Sequence, residues 1–183
     1  MSNQMFKYFI FFFALLLFFS GCATKVPSPG IIISTENQRG EVFGSYSWKK
    51  TLKEYVDFKG RTAFKKLVSD HVDLLFYLDY IAKTSPQLKP QSFPDRKHKL
   101  AFYINSYNAL AMYGVVYYKI PKDFNRFIDR AGFFKFTEYS IGGKHISLYD
   151  YENKIIRPLG DPRVHFALNC MVVDCPRLPD KPF

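Results

Sequence analysis

A long apolar segment between Asp95 and Tyr118 limits what this chain can fold into more than any other feature. Its apolar residues occupy nearly every position around a helical wheel: Leu100, Ala101, Phe102, Ile104, Ala109, Leu110, Met112, Val115 and Val116. Asp95 suits a helix N-cap, and the helix is expected to end before Pro121. A helix that is apolar on all sides is normally buried, so the rest of the fold must be built around this one.

Two asparagines, Asn105 and Asn108, lie three residues apart and therefore share a face of this helix. An asparagine inside a buried helix is unfavourable unless its amide is hydrogen-bonded. These side chains are expected either to fix the backbone of a neighbouring loop or to take part in chemistry. In the second case they would orient a catalytic imidazole or donate to an oxyanion.

The remaining chain predicts an α+β fold, in which a helical N-terminal half packs on a small antiparallel sheet. Apolar residues at helical spacing predict two earlier helices, over 47–59 and 62–83, and the second carries His71 on its apolar face. Gly142 and Gly143 separate two short segments, 133–141 and 144–147, which is typical of a two-residue β-hairpin. Ser147 then suits the start of a short helix that ends near residue 156.

The segment from Asp161 to Pro176 contains most of the candidate functional residues. Its apolar and partly β-branched run over 164–168 predicts a buried strand that follows an Asp-Pro turn. The polar side chains in and after this run are His165, Asn169, Cys170, Asp174 and Cys175. A polar cluster at the end of a buried strand is a common place for a functional site.

Four blocks of sequence resemble, in order, the motifs of the domain of unknown function 547 family. Residues 102–110, FYINSYNAL, resemble F-W-x-N-x-Y-N-A-L. Ile141-Gly142-Gly143 resembles the I-G-G block. Ser147-Leu148, with the segment from Glu152 to Arg157 that follows it, resembles the block that contains S-L and I-E-x-x-x-L-R. Residues 161–170, DPRVHFALNC, followed by Cys175-Pro176, are similar to D-P-R-x-H-F-A-L-N-C…S-C-P. The resemblance runs from about residue 80 to residue 183.

This resemblance implies a fold similar, by analogy, to papain-like cysteine proteases and phytochelatin synthases, and it implies little about chemistry. The chain departs from the family pattern over residues 171–174, where small residues and a serine are usual. It also stops at Phe183, where members usually continue. We therefore expect a copy that is truncated at its C-terminus.

The first residues resemble a bacterial lipoprotein signal peptide. Lys7 precedes an unbroken apolar run over 9–19, which is too short to span a bilayer comfortably. Phe19-Ser20-Gly21-Cys22 resembles a lipobox, which implies cleavage before Cys22 and attachment of lipid, including palmitate, to that cysteine. Ala23 as the next residue resembles the pattern for sorting to an outer membrane, where the protein would face the periplasm. A transmembrane anchor is the alternative.

The predicted organisation is a signal peptide over 1–21, a lipidated cysteine and flexible tether over 22–45, and one α+β domain over 46–183. The formal net charge of +10 falls to +9 after cleavage, because residues 1–21 carry one lysine and no acid. Export and the scattered positions of the basic residues argue against nucleic acid as a partner. We expect the membrane, through Cys22, and anionic headgroups or envelope polymers as partners.

One function compatible with the polar cluster is a thiol-dependent hydrolase or acyltransferase that acts on peptide or γ-glutamyl amides. Cys170 would be the nucleophile and His165 the general base, with Asn105 or Asn169 in support. In a straight strand His165 and Cys170 would point to opposite faces, so this dyad requires a bend after Leu168.

The other function is a non-enzymatic binding or structural module of the cell envelope, in which Cys170 and Cys175 form a disulfide. The two cysteines enclose a short loop, and an exported protein with two cysteines in its folded region more often pairs them. A metal site is disfavoured because two cysteines and one histidine lack a fourth ligand, and no cofactor is expected. The sequence leaves both functions open.

Overall fold

The computed structural model describes residues 23–29, 37–119, 127–172 and 174–183. The predicted signal peptide over 1–21 and the predicted lipidation site, Cys22, lie outside the described residues. Side chains are described from residue 44 onwards in the first helix and from residue 129 onwards in the helix that follows residue 126.

The described residues form helices α1 to α6 and strands β1 to β3. In chain order these are β1 (Thr24–Lys25), α1 (Asn37–Tyr55), α2 (Phe64–Ser69), α3 (Val72–Lys83), α4 (Arg96–Tyr117), α5 (Phe127–Lys135), β2 (Thr137–Ile141), β3 (Lys144–Ser147) and α6 (Leu148–Asp150). Helix α6 continues as a π-helical turn over Tyr151–Ile156 and a 3-10 turn over Arg157–Leu159, and further 3-10 turns cover Pro90–Ser92 and Pro162–Phe166. This arrangement confirms the predicted α+β class.

Helix α4 forms the centre of the fold. All residues from Phe102 to Met112 are buried, as the apolar pattern predicted. The side chain of Asp95 accepts the N–H of His98 at 2.9 Å and caps the helix, which confirms the predicted start. Helix α3 packs on α1, on α4 and on β2, so the helical layer surrounds α4 and covers the sheet.

The sheet has the order β1-β2-β3. Strands β2 and β3 form the predicted hairpin, with Ile141 opposite Lys144. Gly142 and Gly143 have φ angles of 52° and 73°, the left-handed conformation that a tight hairpin turn requires. The first strand of the hairpin begins at Thr137, because the preceding residues form α5 instead of extending the strand.

The segment assigned to the flexible tether contributes β1. Thr24 and Lys25 pair in parallel with β2, and the N–H of Val26 donates to the carbonyl of Glu138 at 2.9 Å. Val26 is 3% exposed. The sheet is therefore mixed and not purely antiparallel. Without β1, the edge of β2 that faces away from β3 would carry unpaired backbone groups, and β1 supplies their partners. Burial of Val26 in the core beside this edge adds a favourable hydrophobic contribution.

The single helix predicted over 62–83 is interrupted between α2 and α3 by Asp70 and His71. Both residue types have low helix propensity, and Asp70 adopts an extended conformation. His71 lies at the break, half-buried, with its ring 6.5 Å from that of Tyr113. Within the described ranges, no helix combines the length and the apolar character that crossing a membrane requires.

Candidate functional site

The segment predicted as a buried strand over 164–168 is a helical turn. Val164, Ala167 and Leu168 are buried, whereas His165 and Phe166 are exposed, and this spacing of three and four residues is helical. The N–H of Leu168 donates to the carbonyl of Val164 at 3.1 Å, which closes the turn. The strand prediction was wrong because a short apolar run does not by itself distinguish a strand from a buried helical turn.

Asp161 caps the start of this turn, and its carboxylate bonds to Arg163 within the turn. The carboxylate of Asp161 accepts the backbone N–H of Arg163 at 3.1 Å, its Nε at 2.9 Å and its Nη2 at 2.7 Å. Hydrogen bonds from the Arg163 side chain, followed by the bond from its backbone N–H, hold the pKa of Asp161 well below its usual range. Pro162, which lacks an N–H, occupies the first position of the turn, where no partner is needed.

Asn108 fastens the end of the turn to α4. Its Nδ2 donates to the carbonyl of Ala167 at 3.0 Å, and its Oδ1 accepts the N–H of Asn169 at 2.8 Å. Asn108 is 1% exposed. The sequence left two roles open for this residue, fixing a neighbouring loop or taking part in chemistry. In the structure Asn108 fixes the loop, because both ends of its amide bond to loop backbone.

Asn169 and Asn105 continue this arrangement toward the end of the described chain. The Nδ2 of Asn169 donates to the carbonyl of Pro176 at 2.6 Å, and its Oδ1 accepts the N–H of Met171 at 2.7 Å. Asn105 accepts the N–H of Phe183 at 3.1 Å and donates to the carbonyl of Phe183 at 3.2 Å. We call Asn105, Asn108 and Asn169 the asparagine clamp, because together they hold the backbone of residues 167–183 to α4.

Two neighbouring residues of α4, which sequence reasoning did not select, connect the helix to the segment after α6. Ser106 Oγ lies 2.7 Å from the Tyr151 hydroxyl, and the Tyr107 hydroxyl donates to Glu152 Oε2 at 3.2 Å. Burial raises the pKa of the Tyr107 and Tyr151 hydroxyls well above the usual value, so both hydroxyls remain protonated. Both residues of α4 lie between two asparagines of a largely apolar helix, and Tyr107 also matches the tyrosine of the F-W-x-N-x-Y-N-A-L motif, so a sequence signal for them was present.

Cys170 and Cys175 form a disulfide, with their Cα atoms 6.0 Å apart. The N–H of Cys170 also donates to the Sγ of Cys175 at 3.1 Å. Met171, inside the disulfide loop, adopts a φ of 62°, which is uncommon for a residue other than glycine. The loop is thus constrained by a covalent bond and by the hydrogen bonds of Asn169.

His165 lies apart from the cysteines. It is exposed, and its ring packs edge-on against Phe166 with 5.3 Å between the centroids. In the described part of the chain no hydrogen bond joins His165 to Cys170 or to Cys175. The structure thus joins Asn169 and the two cysteines within one loop and attaches Asn105 to Phe183 further along the same segment, whereas the described contact of His165 is with Phe166.

A cavity of about 430 Å³ lies beside the disulfide, between residues 59–64 and residues 169–177. Asn169 and Cys175 are among its lining residues. Across the described residues, no three His, Cys, Asp or Glu side chains come together as a metal site. The volume and the lining make the cavity a candidate site for a small ligand.

Comparison with known families gives one match, to the family described as "Protein of unknown function, DUF547", over residues 90–180. No curated protein and no solved structure matches the chain. The papain-like analogy therefore stays a prediction. The matched range contains α4, the hairpin and the disulfide loop, and all four sequence blocks that carried the resemblance. Over residues 90–180, this chain therefore matches the DUF547 family.

Proposed function

We propose that this protein is a lipid-anchored module of a bacterial cell envelope, which binds a ligand or partner and does not catalyse a reaction. One observation carries the proposal: the residues suited to nucleophilic catalysis already have structural partners. Cys170 and Cys175 are bonded to each other, and Asn105 and Asn169 hold backbone. Nucleophilic attack by cysteine requires a free thiolate, which a disulfide does not supply.

The position of His165 supports the same conclusion. A general base must lie within about 3.2 Å of the group whose proton it removes, or reach it through one water. His165 is exposed and packs against Phe166, and no described hydrogen bond connects it to a cysteine. The anchor follows from the lipobox at residues 19–22, which predicts lipidated Cys22, localisation in the envelope and sorting to an outer membrane.

Counting free thiols tests the non-catalytic part of the proposal. The chain from residue 23 to residue 183, which contains every described residue, is purified without reductant, alkylated and weighed intact. We expect no alkylation until a reductant is added. Two reactive thiols, of which one is alkylated much faster near neutral pH, would contradict the proposal and indicate an activated nucleophile.

The anchor is tested separately in cells that express the full chain. Wild-type protein should incorporate labelled palmitate and sediment with the outer membrane, whereas Cys22→Ala should lose the label. Incorporation of label by Cys22→Ala, or recovery of unlabelled wild-type protein from the membrane, would contradict lipidation at this residue.

A thiol-dependent hydrolase or acyltransferase on peptide or γ-glutamyl amides remains the second candidate. The observation in its favour is that Cys175 lines the cavity and that its Sγ accepts the N–H of Cys170 at 3.1 Å, a bond that would stabilise a thiolate after reduction. Turnover of such amides by reduced protein, lost in Cys170→Ala or Cys175→Ala, would establish this candidate and exclude the first.

A further inference from the structure

The cavity beside the disulfide has the size and the rigid walls of a ligand site. Its volume of about 430 Å³ lies within the range of about 300–1,000 Å³ that is usual for small-molecule sites. One wall is the loop between α1 and α2, and the other is the segment from residue 169 to residue 177.

The first wall is a turn fixed by Asp57. Its carboxylate accepts the N–H of Lys59 at 2.8 Å and the N–H of Arg61 at 2.9 Å, and its carbonyl accepts the N–H of Gly60 at 2.8 Å. Gly60 has a φ of +76°, and a Cβ at this position would clash with the Arg177 side chain and with the Leu178 backbone. The absence of a side chain therefore lets the two walls meet at Gly60.

The second wall is held by the disulfide and by Asn169, as described above. Both walls are therefore preorganised by bonds within the protein. Binding at such a site requires little additional ordering of the chain, which favours affinity for a small ligand.

The charged side chains that line the cavity are basic among the described residues, while the carboxylate of Asp57 lies behind the first wall. Lys59, Arg61 and Arg177 line the cavity, and none of its lining residues is acidic. Arg61 is neutralised by Asp57, with 2.9 Å between Nη2 and Oδ2. Lys59 and Arg177 form no ion pair with any described residue. The Nζ of Lys59 lies 5.6 Å from the centroid of the exposed Phe58 ring, a contact that leaves its positive charge without a counter-ion, so two positive charges are not neutralised by acidic side chains. A concave site with charges of one sign concentrates ligands of the opposite sign.

The rest of the lining is mainly apolar. Phe64, Met171, Val172 and Pro176 provide this surface, next to the disulfide sulfur of Cys175. A fully polar anion would leave these side chains without a favourable contact, whereas an apolar group would bury surface against them. The ligand that fits both parts of the lining is amphipathic.

We infer that this cavity binds a small amphipathic anion. Its carboxylate or phosphate lies between Lys59 and Arg177, and its apolar part lies against Phe64, Met171 and Val172. The inference rests on the proposed binding role and names the ligand class for it. A fatty acid and a lipid phosphate share this chemistry, and the experiment below distinguishes them.

The probe is 8-anilinonaphthalene-1-sulfonate, an amphipathic anion whose fluorescence increases in apolar surroundings, titrated into the chain of residues 23–183. We expect one saturable site, from which decanoate or decyl phosphate displaces the probe and uncharged decanol does not. The more effective of the two anions identifies the headgroup. Equal displacement by decanol would overturn the inference, because the site would then not select charge.

Three variants assign the probe to this cavity. Replacing both Lys59 and Arg177 by Gln should weaken binding about tenfold, because charge-assisted contacts are lost. The matched control Lys97→Gln removes the same kind of charge from an exposed site that does not line the cavity, and it should bind as wild type does. Val172→Trp should abolish binding by filling the cavity, with circular dichroism to verify folding.

Unchanged affinity in a folded Val172→Trp or in the double glutamine variant would overturn the inference. Failure of the probe to bind the chain of residues 23–183 with its disulfide intact would reject the cavity as the site. The proposed anchored module would still stand if the full chain, tested separately, carries lipid on Cys22. Amide turnover in a protein that does bind the probe would reject the non-catalytic proposal and leave the cavity assignment standing.

Discussion

At the scale of single residues, the asparagine clamp shows how a buried polar side chain can hold a loop to a helix. Each amide of the clamp offers both a donor and an acceptor, so that one side chain can satisfy an N–H and a carbonyl of an irregular segment. Asn108 does so inside the core, where unpaired backbone groups are most unfavourable.

Asn108→Ala should therefore lower the free energy of unfolding by about 2–4 kcal/mol, because it leaves the carbonyl of Ala167 and the N–H of Asn169 without this partner. Urea denaturation followed by circular dichroism measures the change. Asn153→Ala is the matched control, since Asn153 is an exposed helical asparagine that bonds the carbonyl of Tyr149 at 2.8 Å. Its effect should stay within about 0.5 kcal/mol. Equal losses of unfolding free energy in the two variants would contradict the role of Asn108 in holding the loop to α4.

Asp161→Asn should lower the melting temperature by a few degrees at neutral pH, and by progressively less as the pH falls below about 4. The folded pKa of Asp161 lies below its ordinary value of 3.8, chiefly because the Arg163 side chain bonds to the carboxylate. The stabilisation is thus fully present above the unfolded pKa and is lost as pH falls through the folded pKa. The difference between the two melting temperatures should begin to narrow below about pH 4, where the carboxyl group of the unfolded chain starts to bind a proton, and should keep narrowing toward about pH 2. A difference in melting temperature that stays constant over this pH range would exclude the Asp161–Arg163 ion pair as the source of the stabilisation.

At the scale of elements, the sequence was sufficient wherever a local signal decided the structure. Helix α4 was predictable from its apolar residues and Asp95, and the hairpin from Gly142 and Gly143. The turn over 162–166 was not, because its burial pattern depends on α4 lying beneath it. Strand β1 was not predictable either, since two residues become a strand only when the edge of β2 is available.

The turn that carries Gly60 gives a test of how closely two elements approach. Gly60→Ala and Gly160→Ala place a side chain at nearly the same φ, +76° and +72°, but nothing lies within 4 Å of a Cβ at Gly160. The second variant should cost about 1–2 kcal/mol from backbone strain alone. The first should cost about 1–3 kcal/mol more from the clash with residues 177 and 178. Urea denaturation measures both, and equal costs would contradict close contact at Gly60.

The disulfide is the second element-scale test. Replacing both Cys170 and Cys175 by Ser should destabilise the fold by about 2 kcal/mol, as the chain-entropy argument gives for a loop this short. Wild-type protein in reductant should lose a similar amount, while the double serine variant should not respond to reductant. A wild-type melting temperature that is insensitive to reductant would show that the disulfide does not stabilise the fold.

At the scale of the whole molecule, the site depends on segments far apart in sequence. Asn105 contacts Phe183, and Gly60 contacts Arg177 and Leu178. The sequence motifs identified the asparagines and cysteines, but the cavity needs the loop between α1 and α2, which precedes every motif. No local pattern could pair that loop with the disulfide segment, because their contact exists only after the core has formed.

The position of β1 sets how the folded part would sit on a membrane. With lipid on Cys22, only Ala23 separates the anchor from the strand, so the sheet should lie within about 7–10 Å of the headgroups. Neutron reflectometry of lipidated protein on a supported bilayer measures this distance. A ten-residue Gly-Ser insertion after Ala23 should move the protein layer outwards. A gap of more than 20 Å in the wild type would contradict this geometry.

Trp48 is the only tryptophan of the chain, is 1% exposed and stacks on Tyr77 with 5.3 Å between the ring centroids. Its Nε1 donates at 3.1 Å to the same Oδ1 of Asn105 that accepts the N–H of Phe183. One acceptor atom thus links the indole to the last segment of the described chain. The emission spectrum of this single indole should therefore shift when that segment detaches, which makes the attachment observable by its natural fluorescence, without any label.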